Sequence, residues 1–254
     1  NGVWDTGETE IEGWKVQVDY PLDYADLSQE VFTAWDDDVP TPKNGTYTYT
    51  FTELFPCDKW VATTPTTVTV DVEAGGSYTV LFGNVCLVPA DVTMGTKGFW
   101  HNKNGSAMVT SDDLAGLRAL CLVDGNGNAF DPYESSFDEG EKFADNPDDL
   151  SPWLIDGGSS DAKHVRENFA QQLAAFYLNC QHYLDGGATY FFYAPGIGDA
   201  GPDGDYISAK DLLDLANDAL CDGYDSDLHD LLDDANNDIL DVLVVSPSAC
   251  TFSY

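Results

Sequence analysis

The segment Asn1-Gly2-Val3-Trp4-Asp5-Thr6-Gly7-Glu8 carries oxygen ligands at the spacing of a calcium site. Set in a twelve-residue calcium loop, it fills positions five to twelve. Asn1 supplies the fifth-position oxygen, Gly2 the sharp turn, Val3 a carbonyl, Asp5 the ninth position and Glu8 the bidentate closing carboxylate. Calcium takes about six to eight hard oxygens, and these groups offer roughly four or five of them. The first and third ligands fall before residue 1, so the register predicts either an upstream chain or oxygens from another molecule. A second run, Asp124-Gly125-Asn126-Gly127-Asn128-Ala129-Phe130-Asp131, places Asp124, Asn126, Asn128 and the Phe130 carbonyl at ligand spacing. Ala129 stands at the turn glycine and Ser135 where the bidentate Glu belongs, so an Asx-rich turn fits the same residues. Asp199, Asp203 and Asp205 form a weaker cluster, read as a solvated glycine-rich loop.

Other chemistry is thin, and the chain is expected not to be an enzyme. His101, His164, His182 and His229 lack zinc-protease spacing, and His164 with Glu167 reads as a helix-surface pair. No nucleophile elbow, phosphate loop or dinucleotide fingerprint occurs. Runs such as Asp36-Asp37-Asp38 and Asp233-Asp234 are too common here to mark a site, although two well-placed acids suffice for a glycosidase. Trp35, Trp100 and Trp153 are candidates for stacking on sugar; core packing is the commoner use of tryptophan.

The balance of charge narrows the partners. Against 45 acidic residues stand 10 Lys plus Arg, for a formal net charge of −35. Without a basic stripe, nucleic acid and anionic membrane are poor partners. The acid is mostly Asp beside Asn and Gly, which fits a surface suited to high salt, several divalent-cation sites, or both. With 254 residues and 43% hydrophobic content, the chain can bury a core and is expected to form two domains. No membrane-spanning run or signal peptide is present, so a mature extracellular or cell-surface product, or a fragment of one, is expected.

Cys57, Cys86, Cys121, Cys180, Cys221 and Cys250 are widely spaced with no CxxC pair, which argues against zinc or iron–sulfur frameworks and for three disulfides. Domain layout favours Cys57 with Cys86, and the remaining four are assigned as Cys121–Cys180 and Cys221–Cys250. Asn44-Gly45-Thr46 and Asn104-Gly105-Ser106 are glycosylation sequons.

Residues 1–88 read as strands. Trp14, Val16, Val18 and Tyr20 alternate with polar positions, as do Tyr47, Tyr49 and Phe51, then Val68, Val70 and Val72, then Tyr78, Val80 and Phe82. Breaks at Asn44-Gly45 and Gly75-Gly76 complete the pattern of a half-buried antiparallel sandwich. Asn1 to Glu8, Ile11-Glu12-Gly13-Trp14-Lys15-Val16, Gly75-Gly76-Ser77-Tyr78-Thr79-Val80 and Phe82-Gly83-Asn84 resemble the B-type repeats of bacterial serine-aspartate surface proteins and the wider Cna-B, prealbumin-like class. The resemblance implies a strand before the calcium loop, absent here. Some members join a first-strand lysine to a last-strand asparagine; Asn84 is near the latter position, but Lys15 lies on the next strand and reads as solvated.

Residues 89–254 are expected to be α-helical with an acidic exterior and an extended tail, giving an α+β chain overall. Thr110-Ser111-Asp112-Asp113 opens a short helix through Leu114, Leu117 and Leu120. A long helix is predicted from about Ser160 to Leu184, with Val165, Phe169, Leu173, Phe176, Cys180 and Tyr183 on one face. Two more run from Ser208 through Leu220 and from Asp227 through Val242. Gly98-Phe99-Trp100-His101-Asn102-Lys103-Asn104-Gly105 is similar to the Gly-Phe-Trp-x-Asn-Lys-Asn-Gly opening of a domain found in many secreted bacterial and archaeal proteins, with no activity assigned. Asn128-Ala129-Phe130-Asp131-Pro132, Ala170-Gln171-Gln172-Leu173-Ala174-Ala175 and Tyr193-Ala194-Pro195-Gly196 extend that match.

Two function classes follow. One is an extracellular structural protein, stabilised by calcium and assembling into a homopolymer, filament or surface layer. A sandwich lacking its first strand leaves an edge that templates an incoming strand, and Thr251-Phe252-Ser253-Tyr254, with alternating aromatics, is the candidate donor from a second copy. Residue 1 as an arbitrary start, with the true first strand upstream, fits equally. The other class is a carbohydrate-binding adhesin module, or more distantly a glycoside hydrolase, with a glycan as partner.

Overall fold

A computed structural model describes residues 11–21, 27–33, 39, 41–56, 59–132, 150–156, 162–198, 205–246 and 250. It is an α+β chain with antiparallel sheets and divides into two compact units. The first takes the described residues up to Val88 together with Asp205, Val245, Ser246 and Cys250, and the second takes Pro89–Gly198 and Tyr206–Val244.

The alternating residues of the first unit form strands where a partner is in reach. β1 (Lys15–Pro21), β2 (Leu27–Thr33), β3 (Thr46–Leu54), β4 (Trp60–Ala62), β5 (Thr67–Glu73) and β6 (Asn84–Pro89) follow in order. Four of them make a sheet in the order β2-β1-β3-β5, every neighbour antiparallel. Val16 lies opposite Glu53 and Phe51 opposite Val68. β4 and β6 form a separate ladder, Trp60 opposite Cys86 and Ala62 opposite Asn84. The turn after β5 uses Gly75 at φ +75°, a left-handed conformation that costs glycine nothing. Trp14, Val16, Val18, Tyr20, Tyr49, Trp60, Val72 and Cys86 fill the core. Trp14 meets Trp60 edge-on at 5.1 Å, and Tyr20 stacks on Tyr49 at 5.3 Å.

One predicted strand is missing: Ser77–Gly83 adopts no strand, although Tyr78, Val80 and Phe82 alternate with polar neighbours except at Leu81. Alternation specifies which side faces a core, and a ladder needs a partner as well.

The described residues of the second unit hold seven helices: α1 (Lys97–His101), α2 (Lys103–Ser106), α3 (Ser111–Arg118), α4 (Leu150–Asp156), α5 (Ala162–His182), α6 (Ala209–Asp222) and α7 (Ser226–Asn236). Short strands β7 (Tyr190–Tyr193), β8 (Tyr206–Ser208) and β9 (Leu243–Val245) join them, with β7 pairing to both β8 and β9. Starts follow capping chemistry. Thr110 and Asp113 exchange side-chain and backbone bonds as a capping box, Ser208 accepts from the Asp211 N–H, and Asp225 accepts from the Asp227 and Leu228 N–H groups. α7 stops at Asn236, short of the predicted Val242, because Asp238 turns into φ +54° and the chain goes on to β9. Val242 is still buried, reached from the strand side.

α5 is the hub. Phe169, Ala170, Leu173, Ala174, Ala175, Phe176, Leu178 and Cys180 are buried, and so are Glu167, Gln171, Gln172 and Asn179. The latter four lie on a polar stripe that a one-sided amphipathic reading assigns to solvent.

Candidate functional site

The glycine-aromatic opening of the second unit is a structural knot. Thr96 caps α1, accepting from the Phe99 N–H at 3.0 Å, and Asn102 caps α2, accepting from Asn104 and Gly105. Trp100 is fully buried and its indole donates to Asn179 Oδ1 at 3.2 Å. Asn179 also accepts from the Gly95 N–H and donates to the Gly95 carbonyl and to Asn236 Oδ1. Asn236 in turn donates to Gln172. Gly105 is required by contact: a Cβ there would come within 2.2 Å of the Phe99 carbonyl oxygen, which belongs to rigid backbone. His101 bonds the Ser151 carbonyl at 2.8 Å.

Beside this knot lies the half-buried Lys97. Its ammonium donates to Asn168 Oδ1 at 2.6 Å and Gln171 Oε1 at 3.2 Å. Burial pulls its pKa below the ordinary value, opposed by Asp233 and Glu167. Asp233 accepts from Gln172, and Glu167 bonds His164 at 2.9 Å. Glu167 is buried, so the predicted surface pair is half sunk into the unit. His182 bonds Asp113 at 3.0 Å, while His229 meets the Tyr224 hydroxyl at 3.2 Å and is held below its usual pKa by burial. Each histidine is thus tied to a structural partner, and the cluster reads as a satisfied polar network that fixes α1, α5 and α7 in register.

The predicted metal ligands divide. Asn1, Val3, Asp5 and Glu8 lie outside the described residues. Asp124 sits in an Asx turn: its Oδ1 accepts from the Asn126 N–H at 2.9 Å and the Asn128 N–H at 2.8 Å, and its Oδ2 accepts from the Asn128 amide at 3.2 Å. The Asn128 backbone bond leads the interactions that hold this carboxyl below its ordinary pKa. A cation would compete with three N–H donors for both oxygens. Phe130 turns back to pair with Leu122 through its N–H, and its ring stacks on Trp153 at 4.2 Å. Among the described residues, no three His, Cys, Asp or Glu side chains converge as a metal site.

The cysteine pairing differs from the assignment. Cys86 is bonded to Cys250 rather than Cys57, and Cys121 to Cys221 rather than Cys180. Cys180 is a free thiol in the α5 core, its pKa pushed up to about 12 by burial and then by Asp214. Cys57 lies outside the described residues. Domain layout misleads because Cys250 belongs with the first unit rather than with the helices. Alkylation without reductant is expected to modify Cys180 only after unfolding and to spare Cys86, Cys121, Cys221 and Cys250 throughout. Intact-mass analysis checks this, and a label on any of those four before reduction breaks the pairing.

Asn44 and Asn104 are exposed, as sequon acceptors must be; Ser106, third in the second sequon, is buried in α2. Trp100 and Trp153 are buried and offer no face to a sugar, and Trp35 is outside the described residues.

The first unit holds the least satisfied polar site. Glu53 points into the aromatic core, opposite Val16 on β1, and is 4% exposed. The Asn84 amide on β6 donates to its Oε1. Burial pushes the Glu53 pKa up to about 7, with the bonds from Asn84 and Trp14 opposing the shift. Glu53 Oε2 and Asn84 Oδ1 are buried without a hydrogen-bond partner among the described residues. Lys15 lies opposite Leu54, one residue off the Val16–Glu53 pair, so strand alternation turns it to the other face of the sheet.

One residue before Asn84, across Gly83, ends a run without backbone partners among the described residues. Residues Ser77 to Phe82 make no backbone hydrogen bond to one another or to another described backbone group. The Tyr78 hydroxyl accepts from the Glu73 N–H at 3.0 Å, and Phe82 packs on the aromatic core. Tyr78 and Leu81 are exposed at 44% and 43%. The run has the composition of a strand, and its backbone groups bond no other backbone group among the described residues.

Comparison of the chain with family models, with curated proteins and with solved structures finds no match.

Proposed function

We propose that this chain is an extracellular structural protein whose first unit is a Cna-B-like sandwich that accepts a β-strand from a second copy. The observation that carries the reading is the Ser77–Phe82 run, strand-like in composition, one residue before β6 and without a backbone partner among the described residues. An edge of this kind recruits a strand by main-chain hydrogen bonds, with alternate side chains setting the fit. The candidate donor is Thr251-Phe252-Ser253-Tyr254 of the next copy. Repeated head to tail, such a contact builds an open filament unless the rotation closes it. Two disulfides fit an oxidising, extracellular setting, and among the described residues no helix is long and apolar enough to cross a membrane. Calcium bound through Asn1, Val3, Asp5 and Glu8 would stiffen the start of the sandwich. The buried state of Trp100 and Trp153 weighs against the glycan-binding alternative, which relied on exposed rings.

The test is sedimentation and negative-stain microscopy of the full chain in calcium and in chelator. Ordered polymers are expected in calcium, with Glu8→Gln removing the response to the metal. Val80→Pro deletes an N–H in the unpaired run and is expected to abolish polymers while the monomer stays folded. A discrete monomer under all conditions that binds glycans would turn the assignment to the adhesin class.

A further inference from the structure

We propose that Asn44 is a site of spontaneous covalent modification in the folded chain: the Gly45 backbone nitrogen attacks the Asn44 side-chain carbonyl, and the succinimide so formed opens to aspartate and isoaspartate. The chemistry needs no partner but water. A bond forms between Gly45 N and Asn44 Cγ, the bond from Cγ to the amide nitrogen breaks, and ammonia leaves with the proton that Gly45 gives up. Water then adds to either carbonyl of the ring. One opening gives an aspartyl residue, and the other an isoaspartyl residue whose backbone runs through the former side chain.

Asn-Gly is the pair this reaction favours, because glycine has no side chain to crowd the attacking nitrogen and leaves the backbone free to turn toward it. The described residues hold three such pairs, Asn44-Gly45, Asn104-Gly105 and Asn126-Gly127, and the fold ranks them. At the second, the Gly105 N–H donates to Asn102 Oδ1 at 3.3 Å, and Gly105 is buried against the Phe99 carbonyl inside α2. At the third, the Gly127 N–H donates to the Asp124 carbonyl at 2.8 Å, while Asp124 Oδ1 holds the Asn126 N–H at 2.9 Å. Both nitrogens are committed, and ring closure has to break those bonds first. Asn44-Gly45 differs on each count. Asn44, Gly45 and Thr46 are all exposed, and the Gly45 N–H has no hydrogen-bond partner among the described residues. A Cβ on Gly45 would meet only the Tyr47 ring among them, at 3.7 Å, so the approach to the nitrogen is open.

The product alters the hairpin it precedes. The Gly45 carbonyl accepts from the Ala74 N–H at 3.0 Å, and the β3–β5 ladder begins at the next pair, Thr46 opposite Glu73. Isoaspartate lengthens the backbone by a methylene just ahead of that closing bond, and either product adds a carboxylate at the hairpin end that already carries Glu73. Both also remove the amide that Asn44-Gly45-Thr46 offers to a glycan, so the two modifications of Asn44 exclude one another.

The experiment is peptide mapping of the full chain aged in mildly alkaline buffer, folded and in denaturing urea, with aspartate and isoaspartate resolved by fragmentation. In the folded chain, conversion at Asn44 is expected to run roughly tenfold or more ahead of Asn104 and Asn126, and the three rates are expected to draw together in urea, which releases the Gly105 and Gly127 N–H groups. Asn44→Gln closes the larger imide ring far more slowly and sits at an exposed position, so it keeps the fold and blocks the reaction. Amide exchange at Ala74 is expected to quicken on ageing in the wild type and to stay constant in this variant. Conversion at Asn44 no faster than at the other two in the folded chain overturns the proposal, as does a lead that persists unchanged in urea, since the fold would then not select the site. Ala74 exchange that is equal in aged wild type and variant removes the effect on the hairpin.

Discussion

Asn179→Ala is expected to destabilise the helical unit by about 4 kcal/mol, because four buried polar groups lose their partner at once. The Asn179 amide serves the Gly95 N–H at 2.7 Å, the Gly95 carbonyl at 2.9 Å, the Trp100 indole at 3.2 Å and Asn236 Oδ1 at 2.8 Å. Each group left unmade in a fully buried site costs about 1–3 kcal/mol, and the lost side-chain volume adds to it. Asn179→Asp separates the contributions. It keeps the acceptor for Gly95 and Trp100, loses both donors and places a carboxyl beside two carbonyl-type oxygens, so it should cost at least as much near neutral pH and less in acid. Guanidinium unfolding followed by tryptophan fluorescence reads the change, since Trp100 sits on the bond in question. A loss under 1 kcal/mol would mean that the network around α1, α5 and α7 relaxes around the gap and does not set their register.

That hub also marks the limit of what the sequence discloses. β1, β3 and β5 are legible because each keeps a strict alternation and finds a partner on both or one of its sides. β4 is three residues long and carries no period. Tyr78, Val80 and Phe82 alternate as in β5 except at Leu81 and still form no ladder among the described residues, since pattern encodes the buried face and not the neighbour. In α5, Phe169, Leu173, Phe176 and Cys180 announce a helix with one apolar side, and that side is indeed buried. Glu167, Gln171, Gln172 and Asn179, beside that face, look solvent-directed until α1 and α7 are placed against them with Lys97, Trp100, Asp233 and Asn236. No spacing in the chain singles these residues out, because polar side chains beside an apolar helix face are shared with any exposed helix. Cysteine spacing was equally silent: Cys250 is separated from Cys86 by 164 residues, and proximity in sequence favoured the wrong partners. The Asx turn at Asp124 illustrates a different ambiguity, because the residues that ligate calcium also bond their own backbone, and local geometry decides between them.

Glu53 is expected to make the sandwich unit more stable in mild acid than in alkali, the reverse of the usual behaviour of a carboxylate. Its side chain is 4% exposed, held in a core of Trp14, Trp60 and Phe55, and burial lifts its pKa from 4.5 to about 7. The folded state therefore binds a proton that the unfolded chain has released over much of the interval between those values, and stability falls as pH rises through it. The contribution is fully present below about 4.5 and is lost as pH passes through about 7. A shift of this size is worth roughly 3 kcal/mol, of which about 2.5 kcal/mol separates pH 5 from pH 8. Other groups among the 45 acids titrate in the same window. Comparison with Glu53→Gln removes them: Gln keeps the acceptor for the Asn84 amide and cannot ionise. The measurement is urea unfolding of both proteins at pH 5 and pH 8 in chelator, so that calcium does not enter. Wild type should lose about 2–3 kcal/mol more than the variant over this range, and equal losses would show that Glu53 carries no proton in the fold. Asn84 is separated from the Ser77–Phe82 run by Gly83 alone, so that proton sits at the foot of the edge proposed to accept a strand. Weakening the β3–β6 contact above pH 7 should therefore loosen the neighbouring Ser77–Phe82 segment, read as faster amide exchange at Val80 and Phe82, and so couple the proposed strand acceptance to acidity through one buried carboxyl.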